Sequence, residues 1–494
     1  MAAASSNLLV LKTPEKPGGV KHFGLGHWMH EVPEECDKVR AGFEADPVHD
    51  LRVALRRCRS MADGMMALDS RPTWKQMKRA GKELFSQLGA LRDLHVMMEW
   101  IEHLAPKDDP VARSLLDFVA AQEPALKAGA ISALDNFDRS RWEDWANFLP
   151  KRAERVPLDS LVFRHLALQK WNDAYELHHR ALRNRSKTAF HQLRIGLKKF
   201  RYTVENFLPR LHDAWGDELK AVQDWLGEVH DLDVLWAAAL KIHAFQNDEA
   251  RARWHTTVEA ARRTRLQNYR EKTIGPHSLW RAWRAELPRD AEVETGAVER
   301  VRTWAGFLDP EFGHAENVTL TALQLHDGLV QCGFGTRTRN PHSRMILQAA
   351  ALAHDVGRAK RERKYQKLSA RYIRRFEPPL GFRAQDLQLA ALVARFHRGA
   401  LPADQRRFAA LSATQKELVV FLAGILRLAE SLCAGDAIAI RNLAVRKTGD
   451  FLTVWTQRPF QDAQLGERIA AGRYLLELAC GCPILVRAKT AHRQ

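Results

Sequence analysis

Two stretches, HDLRVALRRCR at residues 49–59 and HQLRIGLKKFR at residues 191–201, are two copies of one helical pattern. A second matching pair follows in the same order, KELFSQLGALRDLHV at residues 82–96 and KAVQDWLGEVHDLDV at residues 220–234. Similarity of two segments in the same order predicts duplicated helical hairpins. Around them, residues up to about 290 carry Leu, Ala, Arg and Trp at spacings of three and four, so the region reads as all-α.

Each copy of the first segment has one basic face and one apolar face. On a helix of 3.6 residues per turn, the leading His and three cations fall within an arc of roughly 80°. The faces are His49, Arg52, Arg56 and Arg59 in one copy and His191, Arg194, Lys198 and Arg201 in the other. A single basic face on a helix is usually just a solvent-exposed surface. Here, however, both copies keep like charges four residues apart, a spacing at which these charges repel and destabilise the helix. The repetition favours two faces that bind a linear polyanion, with each His either a phosphate donor or a structural residue.

Composition and length indicate a folded, basic protein of several domains. The 494 residues contain 76 Lys plus Arg and 59 Asp plus Glu, a net charge of +17 that suggests an anionic partner. With 46% hydrophobic residues, the chain reads as folded protein of two to four domains. The six cysteines are sparse and read as reduced. No long apolar run or leader pattern is present, so we expect a cytoplasmic protein without membrane association.

Changes in pattern along the chain suggest its organisation. Residues 1–25 read as a flexible tail, and the break between Pro288 and Gly296 places a boundary near residue 290. Residues 438–456 then hold two β-type runs around Lys447-Thr-Gly-Asp450, which predicts a hairpin. By count, residues 1–290 hold 46 basic and 40 acidic residues (+6), and residues 291–494 hold 30 and 19 (+11). The second region is therefore the more basic one.

The repeated segments resemble the CHAD domain, the conserved-histidine α-helical domain, over residues 26–290. The resemblance implies two four-helix bundles with pseudo-twofold symmetry and a basic groove that binds inorganic polyphosphate. Carried over by position, the implied binding residues of the first copy are His49, Arg52, Arg56, Arg57, Arg59 and Lys82. Those of the second copy are His191, Arg194, Lys198, Lys199, Arg201 and Lys220. The two copies differ where Arg92 of the first LGxxRDL segment becomes His230 in the second.

The second region pairs a His-Asp dipeptide with the densest basic run of the chain. His354 and Asp355, read as adjacent helical residues, share a metal only with ligands from other helices, and His314 is the natural third candidate. A bound divalent metal would acidify water and hold phosphate oxygens. A structural role is the alternative, since a lone His-Asp pair is a weak signal. Nine basic residues and only Glu362 as an acid follow in residues 358–375, which favours phosphate oligomers or nucleic acid as ligand.

Residues 291–494 resemble the C-terminal HD-type helical domain of the exopolyphosphatase and guanosine pentaphosphatase family. The segments HAENVTLTALQLHDGL, AALAHDVGR, SARYIRRF and ILRLAESL carry the resemblance. In that family the hydrolytic chemistry belongs to an actin-like domain, and no Gly-rich phosphate loop occurs in this sequence. Glu430 stands where HD phosphohydrolases place a last metal-binding Asp, and residues 364–369 lack the histidines typical of the family. The implied metal set is His314, His354, Asp355 and Glu430, for Mg²⁺ or Mn²⁺.

These features lead to three functional hypotheses. The first is a protein that binds polyphosphate and needs no cofactor for this binding. In this hypothesis the HD-type second region adds anion-binding surface, and the protein associates with polyphosphate granules. The alternative is a metal-dependent phosphohydrolase acting on polyphosphate or a phosphorylated nucleotide. The third is a nucleic-acid binder, which we consider the weakest because most tryptophans lie in apolar helical patterns. Catalytic residues and oligomeric state do not follow from the sequence.

Overall fold

The computed structural model of the protein describes residues 22–106, 108–335, 340–399, 406–434, 440, 442–456 and 463–488. The chain is mostly α-helical with one small sheet near its C-terminal end, as the sequence predicts. A flexible tail is predicted over residues 1–25, and its residues 1–21 lie outside the described residues. The first helix begins at Leu25. Within the described residues, no helix is both long and apolar enough to cross a membrane.

The described residues of the first region form ten α-helices, and the second five follow the first five in similar order. The first five are α1 (Leu25–Ala41), α2 (Ala45–Met66), α3 (Pro72–Leu104), α4 (Pro110–Asp135) and α5 (Arg139–Ala153). The next five are α6 (Leu161–Asn184), α7 (Lys187–Phe207), α8 (Pro209–Lys241), α9 (Asp248–Thr273) and α10 (Leu279–Ala285). Helices α3 and α8 are both 33 residues long and both begin with proline, whose fixed φ suits a first turn.

The duplicated segments become the pairs α2–α3 and α7–α8. The apolar residues predicted on the inner faces, Leu51, Leu55 and Cys58 in α2 and Leu197 and Phe200 in α7, are all completely buried. Both halves contribute to one large hydrophobic core. A smaller core, which includes Ile101 of α3 and Leu232 of α8, joins the far ends of the long helices. Burial of these stripes holds the opposite, basic faces of α2 and α7 in fixed positions.

In the described part of the second region there are eight α-helices, a short 3-10 helix (Arg358–Lys360) and three strands. The helices are α11 (Ala291–Leu308), α12 (Phe312–Gln331), α13 (Ser343–Leu352), α14 (Tyr365–Arg375), α15 (Ala384–Phe396), α16 (Arg406–Ala409), α17 (Ala413–Cys433) and α18 (Ala463–Cys480). The strands are β1 (Ala444–Thr448), β2 (Phe451–Thr456) and β3 (Ile484–Ala488). The sheet has the order β1-β2-β3. A separate core is built mainly from α12, α13, α15 and α17.

The predicted hairpin is present in the described residues 442–456. Strands β1 and β2 pair antiparallel, with Ala444 opposite Trp455 and Thr448 opposite Phe451. Strand β3 joins β2 in parallel, with Leu452 opposite Ile484. The start of the predicted hairpin segment, residues 438, 439 and 441, lies outside the described residues.

Helix α11 of the second region packs against α6 of the first. The buried Arg300 donates from Nη1 to Oε1 of Gln169 over 2.5 Å, and His165 donates from Nε2 to the carbonyl oxygen of Leu380 over 2.9 Å. Burial, and then the charge of Arg300, lower the pKa of His165 to about 4, so its ring is neutral at pH 7. A Cβ at Gly296 would lie 2.8 Å from the His165 ring, so the two helices approach this closely only because α11 has a glycine there.

Candidate functional site

The basic faces of α2 and α7 meet where these two helices pack side by side. Burial, and then the charges of Arg194 in α7 and Arg56 in α2, lower the pKa of Lys198 in α7 to about 8. The Tyr202 ring lies between the helices, with the Cζ of Arg56 at 5.5 Å and that of Arg201 at 5.9 Å from its centroid. The basic residues predicted from two distant segments of the sequence therefore lie close enough to interact electrostatically where α2 contacts α7.

We call this region the α2–α7 surface, and six of the predicted side chains define it. They are His49, Arg52, Arg56, His191, Arg194 and Lys198. His49 is exposed and the others are half-buried. The pKa of His49 is lowered by burial and by the charges of Arg92 and Arg56, which favours its neutral form. The rings of His191 and His230 lie 4.8 Å apart, where the first copy has His49 and Arg92.

Arg52 is oriented by the neighbouring helix α3. Its Nη1 donates to the carbonyl oxygen of Phe85 over 3.3 Å, and its guanidinium lies 5.0 Å from the Phe85 ring centroid. The side chain crosses α3 at Gly89, where a Cβ would lie 2.7 Å from Nη1. Gly227 occupies the same position of the second copy, and a Cβ there would lie 4.0 Å from Nε of Arg194. The glycine of the first segment therefore leaves room for Arg52, whereas the distance at Gly227 is an ordinary van der Waals contact.

Two acidic residues beside these arginines were missed by the sequence reasoning. Asp93 favours the charged form of Arg52, and Asp231 interacts in the same way with Arg194 and Lys198. Burial raises the pKa of Asp231 to about 6. Both acids directly follow the Arg92 and His230 positions of the repeated LGxxRDL pattern, so the signal was present in the sequence. They limit the net positive charge of the α2–α7 surface.

Two of the predicted cations are held by a buried carboxylate. Arg57 donates from Nη2 to Oε1 of Glu205 over 2.5 Å and from Nη1 to Asn206 over 3.2 Å. Arg201 lies 3.7 Å from the same Glu205 oxygen. Arg59 points towards α3, where its Nη1 donates to the carbonyl oxygen of Lys78 over 2.7 Å. Arg57 and Arg59 connect different helices and Arg201 pairs with Glu205 along α7, so a structural role accounts for the contacts of these arginines.

The predicted lysines outside the α2–α7 surface lie apart from one another. Lys199 faces the other side of α7, in a surface pocket of about 310 Å³ that Lys170 and Arg180 also line. Lys220 is exposed and its Nζ lies 3.1 Å from Oδ2 of Asp224 on the same helix. Lys82 is also exposed. The predicted set of twelve therefore divides by position, and six of its members form a single surface.

A second cluster joins the four predicted metal-binding side chains. Nε2 of His354 lies 3.4 Å from Oδ1 of Asp355 and 3.3 Å from Oε2 of Glu430, and Nε2 of His314 lies 3.0 Å from that Glu430 oxygen. The expectation that His354 and Asp355 are adjacent helical residues is wrong. Helix α13 ends at Leu352, and the pair lies in the following turn, where both side chains point to the same side.

Burial and charge shift the protonation of this cluster strongly. Burial disfavours the protonated, charged form of His354, but the negative charges of Asp355 and Glu430 outweigh this effect of burial. The pKa of His354 is therefore raised to about 9. Burial likewise opposes ionisation of Glu430, but hydrogen bonds from His314 and His354 hold its pKa well below the usual range. His397, whose ring centroid lies 5.0 Å from that of His354, has a pKa lowered to about 4 by burial and by the His354 charge.

The donor set fits a hard divalent cation such as Mg²⁺ or Mn²⁺. One ligand atom each from His314, His354 and Asp355 lies within 4.8 Å of the others. His354 Nδ1 donates to the carbonyl oxygen of Ala351 over 2.6 Å, which leaves Nε2 directed at the cluster. Oδ1 of Asp355 is buried and makes no hydrogen bond within the described residues. Arg398, which was not assigned a role from sequence, donates from Nη2 to Oε1 of Glu430 over 2.6 Å.

Comparisons with known proteins match both halves of the chain. The family model described as CHAD domain matches residues 26–240, and the model described as Ppx/GppA phosphatase, domain III, matches residues 303–456. No curated protein matches the chain. The crystal structure of the CHAD domain from the plant Ricinus communis matches at 22% identity and a TM-score of 0.37, covering 56% of this chain and 98% of that one. The chain therefore combines an N-terminal CHAD domain with a C-terminal domain of the Ppx/GppA phosphatase domain III type.

Proposed function

We propose that the protein binds inorganic polyphosphate on the α2–α7 surface. The observation that carries this proposal is the convergence of cations from both repeats, with Arg56 and Arg194 close enough to lower the pKa of Lys198. Cations held together at this cost in repulsion are stabilised by an anion that contacts several of them. Both matched domain types are consistent with a polyphosphate-related function.

The aromatic residues near this surface favour a bare phosphate chain over nucleic acid. Tyr202 is half-buried, and the guanidinium groups of Arg56 and Arg201 lie over its ring, so a base would compete with these cations for the ring. Trp280 and Trp283 are buried in the core of the first region. Binding of single-stranded nucleic acid gains much of its affinity from bases stacked on exposed aromatic rings. Among the described residues of the α2–α7 surface, the cations supply phosphate contacts, and the neighbouring rings of Phe85 and Tyr202 are half-buried beside arginines.

A competition experiment tests this assignment. Fluorescently labelled long-chain polyphosphate is bound to the full chain at physiological salt and then challenged with unlabelled polyphosphate or single-stranded DNA of equal phosphate concentration. We expect unlabelled polyphosphate to displace the probe at least ten-fold more effectively than the DNA. Equal displacement by the two polymers would contradict a preference for polyphosphate and favour a general nucleic-acid binder.

Polyphosphate affinity should fall as pH rises from 5.5 to 9. Asp231, with a pKa raised to about 6, gains its negative charge over the first part of this range. Lys198, with a pKa lowered to about 8, loses its positive charge over the second part. A bound phosphate chain favours the protonated form of both groups, so each deprotonation weakens binding. Titrations at half-unit intervals should show a step near pH 8 that Lys198→Arg removes, because arginine stays charged.

Metal-dependent phosphohydrolase activity of the second region, on polyphosphate or a phosphorylated nucleotide, is a second candidate function. The convergence of His314, His354, Asp355 and Glu430 favours it, since two imidazoles and two carboxylates suit Mg²⁺ or Mn²⁺. A bound cation of this kind would acidify a water molecule and stabilise charge on phosphate oxygens. Of the chain's own residues, Arg358 lies 3.6 Å from Asp355 and Arg398 contacts Glu430. Both are exposed and positioned to hold a phosphate group next to the cluster.

Phosphate release from polyphosphate in the presence of Mn²⁺ tests the second candidate. If the cluster is responsible, Asp355→Asn should reduce release at least 100-fold, because the carboxylate both binds the cation and balances its charge. An exposed acid of the same region, Glu362→Gln, serves as the control and should leave release unchanged. Release that continues at the wild-type rate in Asp355→Asn would assign the chemistry elsewhere.

A further inference from the structure

A large cavity lies between the two regions of the chain, away from the residues of the α2–α7 surface. Its volume is about 1040 Å³. The first region lines it with the segment that links α2 to α3 and with the end of α5. The second region lines it with the end of α11, the turn after the His-Asp pair, and the end of α14. Pockets of this size hold ligands larger than a single phosphate.

Basic side chains from both regions dominate the polar lining of this cavity. The cations are Arg71, Arg152, Arg155, Lys360 and Arg375, and the acids are Asp309 and Glu377. The pKa of Asp309 is raised by burial and by the nearby charge of Asp355. The cavity therefore has a net positive lining, and it adjoins the cluster of His354 and Asp355.

Arg152 is a buried cation with unused hydrogen-bonding capacity at this cavity. Its side chain is only 8% exposed, and its Nε donates to Oδ2 of Asp69 over 2.7 Å. Its Nη2 is buried and makes no hydrogen bond within the described residues. The guanidinium lies 4.9 Å from the centroid of Phe307 in the second region. A buried guanidinium donor without an acceptor is unfavourable, and an anion in the cavity would supply the acceptor.

Arg155 crosses the junction between the regions at the same wall. Its Nη2 donates to the carbonyl oxygen of Gly306 over 3.0 Å, and its guanidinium lies 4.6 Å from the Phe307 centroid. On the opposite wall, Lys360 lies over the Tyr372 ring, and Trp304 stacks against Phe376 at 4.6 Å between ring centroids. The aromatic rings lower the local dielectric constant, which strengthens attraction between the cations and an anion.

We propose that this cavity binds a compact oligophosphate anion that contacts both regions at once. Five cations against two acids match a ligand with several negative charges, and the dense basic run of residues 358–375 gains a defined role through Lys360 and Arg375. The site is independent of the α2–α7 surface, so it does not rest on polyphosphate binding there. Its ligand is either a free small oligophosphate or the end of a longer phosphate chain, which present the same chemistry.

Calorimetric titration of the full chain with inorganic tripolyphosphate tests the cavity. The double variant Arg155→Ala/Arg375→Ala removes two exposed cations from opposite walls, and we expect it to weaken binding at least ten-fold. The control Arg251→Ala/Arg263→Ala removes two exposed cations from α9 and should bind like the wild type. Unchanged affinity in the cavity variant, or equal losses in both variants, would overturn the proposal.

Thermal unfolding gives a second readout that loss of surface charge alone does not move. A ligand held by both regions should raise the unfolding temperature of the wild type and of the α9 control, and raise that of the cavity variant much less. If all three proteins show the same shift, the ligand binds elsewhere and the proposal fails. Competition with long-chain polyphosphate then identifies the source, since displacement of tripolyphosphate supports a chain end and its absence supports a free small anion.

Discussion

Reversing two charges of the α2–α7 surface, in the variant Arg56→Glu/Lys198→Glu, is expected to weaken polyphosphate binding about 100-fold at about 0.1 M salt. Each residue contributes one charge-assisted contact of roughly 1.5 kcal/mol, and about 2.7 kcal/mol corresponds to 100-fold in affinity. The reversal also places new negative charge beside Asp93 and Asp231. Titration of the variant with long-chain polyphosphate measures the loss.

A variant with the same change in net charge separates the local effect from a general one. Arg251→Glu/Arg263→Glu alters exposed residues of α9 and should lose less than three-fold in affinity, because charges beyond about 10 Å are screened. Equal losses in the two variants would show that binding depends on net charge rather than on the α2–α7 surface.

Replacing Glu430 by glutamine is expected to lower the free energy of unfolding by about 3 kcal/mol. Removing one partner of a buried ionic cluster leaves the others without compensation. Glu430 is 8% exposed and contacts His314, His354 and Arg398, so three donors lose a charged acceptor at once. Urea unfolding followed by circular dichroism measures the change.

An exposed glutamate of the same helix provides the matched control. Glu417→Gln lies in the first turns of α17 and should change the free energy of unfolding by less than about 0.5 kcal/mol. The effect of Glu430→Gln should also shrink above pH 9, where His354, with its pKa raised to about 9, loses the proton that Glu430 stabilises. A Glu430→Gln protein as stable as the wild type at pH 7 would contradict the coupling of these residues.

The helical repeats could be predicted from sequence because their information is local. Apolar residues at helical spacing fix which side of α2 and α7 is buried, as Leu51 and Leu197 show, and the basic side then follows. The hairpin of β1 and β2 was predictable for the same reason, since its turn residues and alternating pattern lie within a few positions.

Features that depend on tertiary packing could not be predicted in this way. Arg57 has the same sequence signal as Arg56, but Glu205 of α7 holds it, and that contact exists only once α2 lies against α7. The turn at His354 was missed because nothing in AALAHDVGR marks the end of α13. The cavity between the regions combines residues more than 200 positions apart, such as Arg152 and Arg375, so no single stretch of sequence indicates it.

The salt dependence of polyphosphate binding to the full chain tests the central claim most directly. Each phosphate neutralised by a cation releases counterions, with a log-log slope of about −0.7 per contact for a flexible chain. Four cations of the α2–α7 surface, Arg52, Arg56, Arg194 and Lys198, predict a slope of about −3 or steeper, reduced by roughly 1.4 in Arg56→Ala/Lys198→Ala. Binding that is absent at low salt in the folded protein, or a slope that the variant leaves unchanged, would contradict the account.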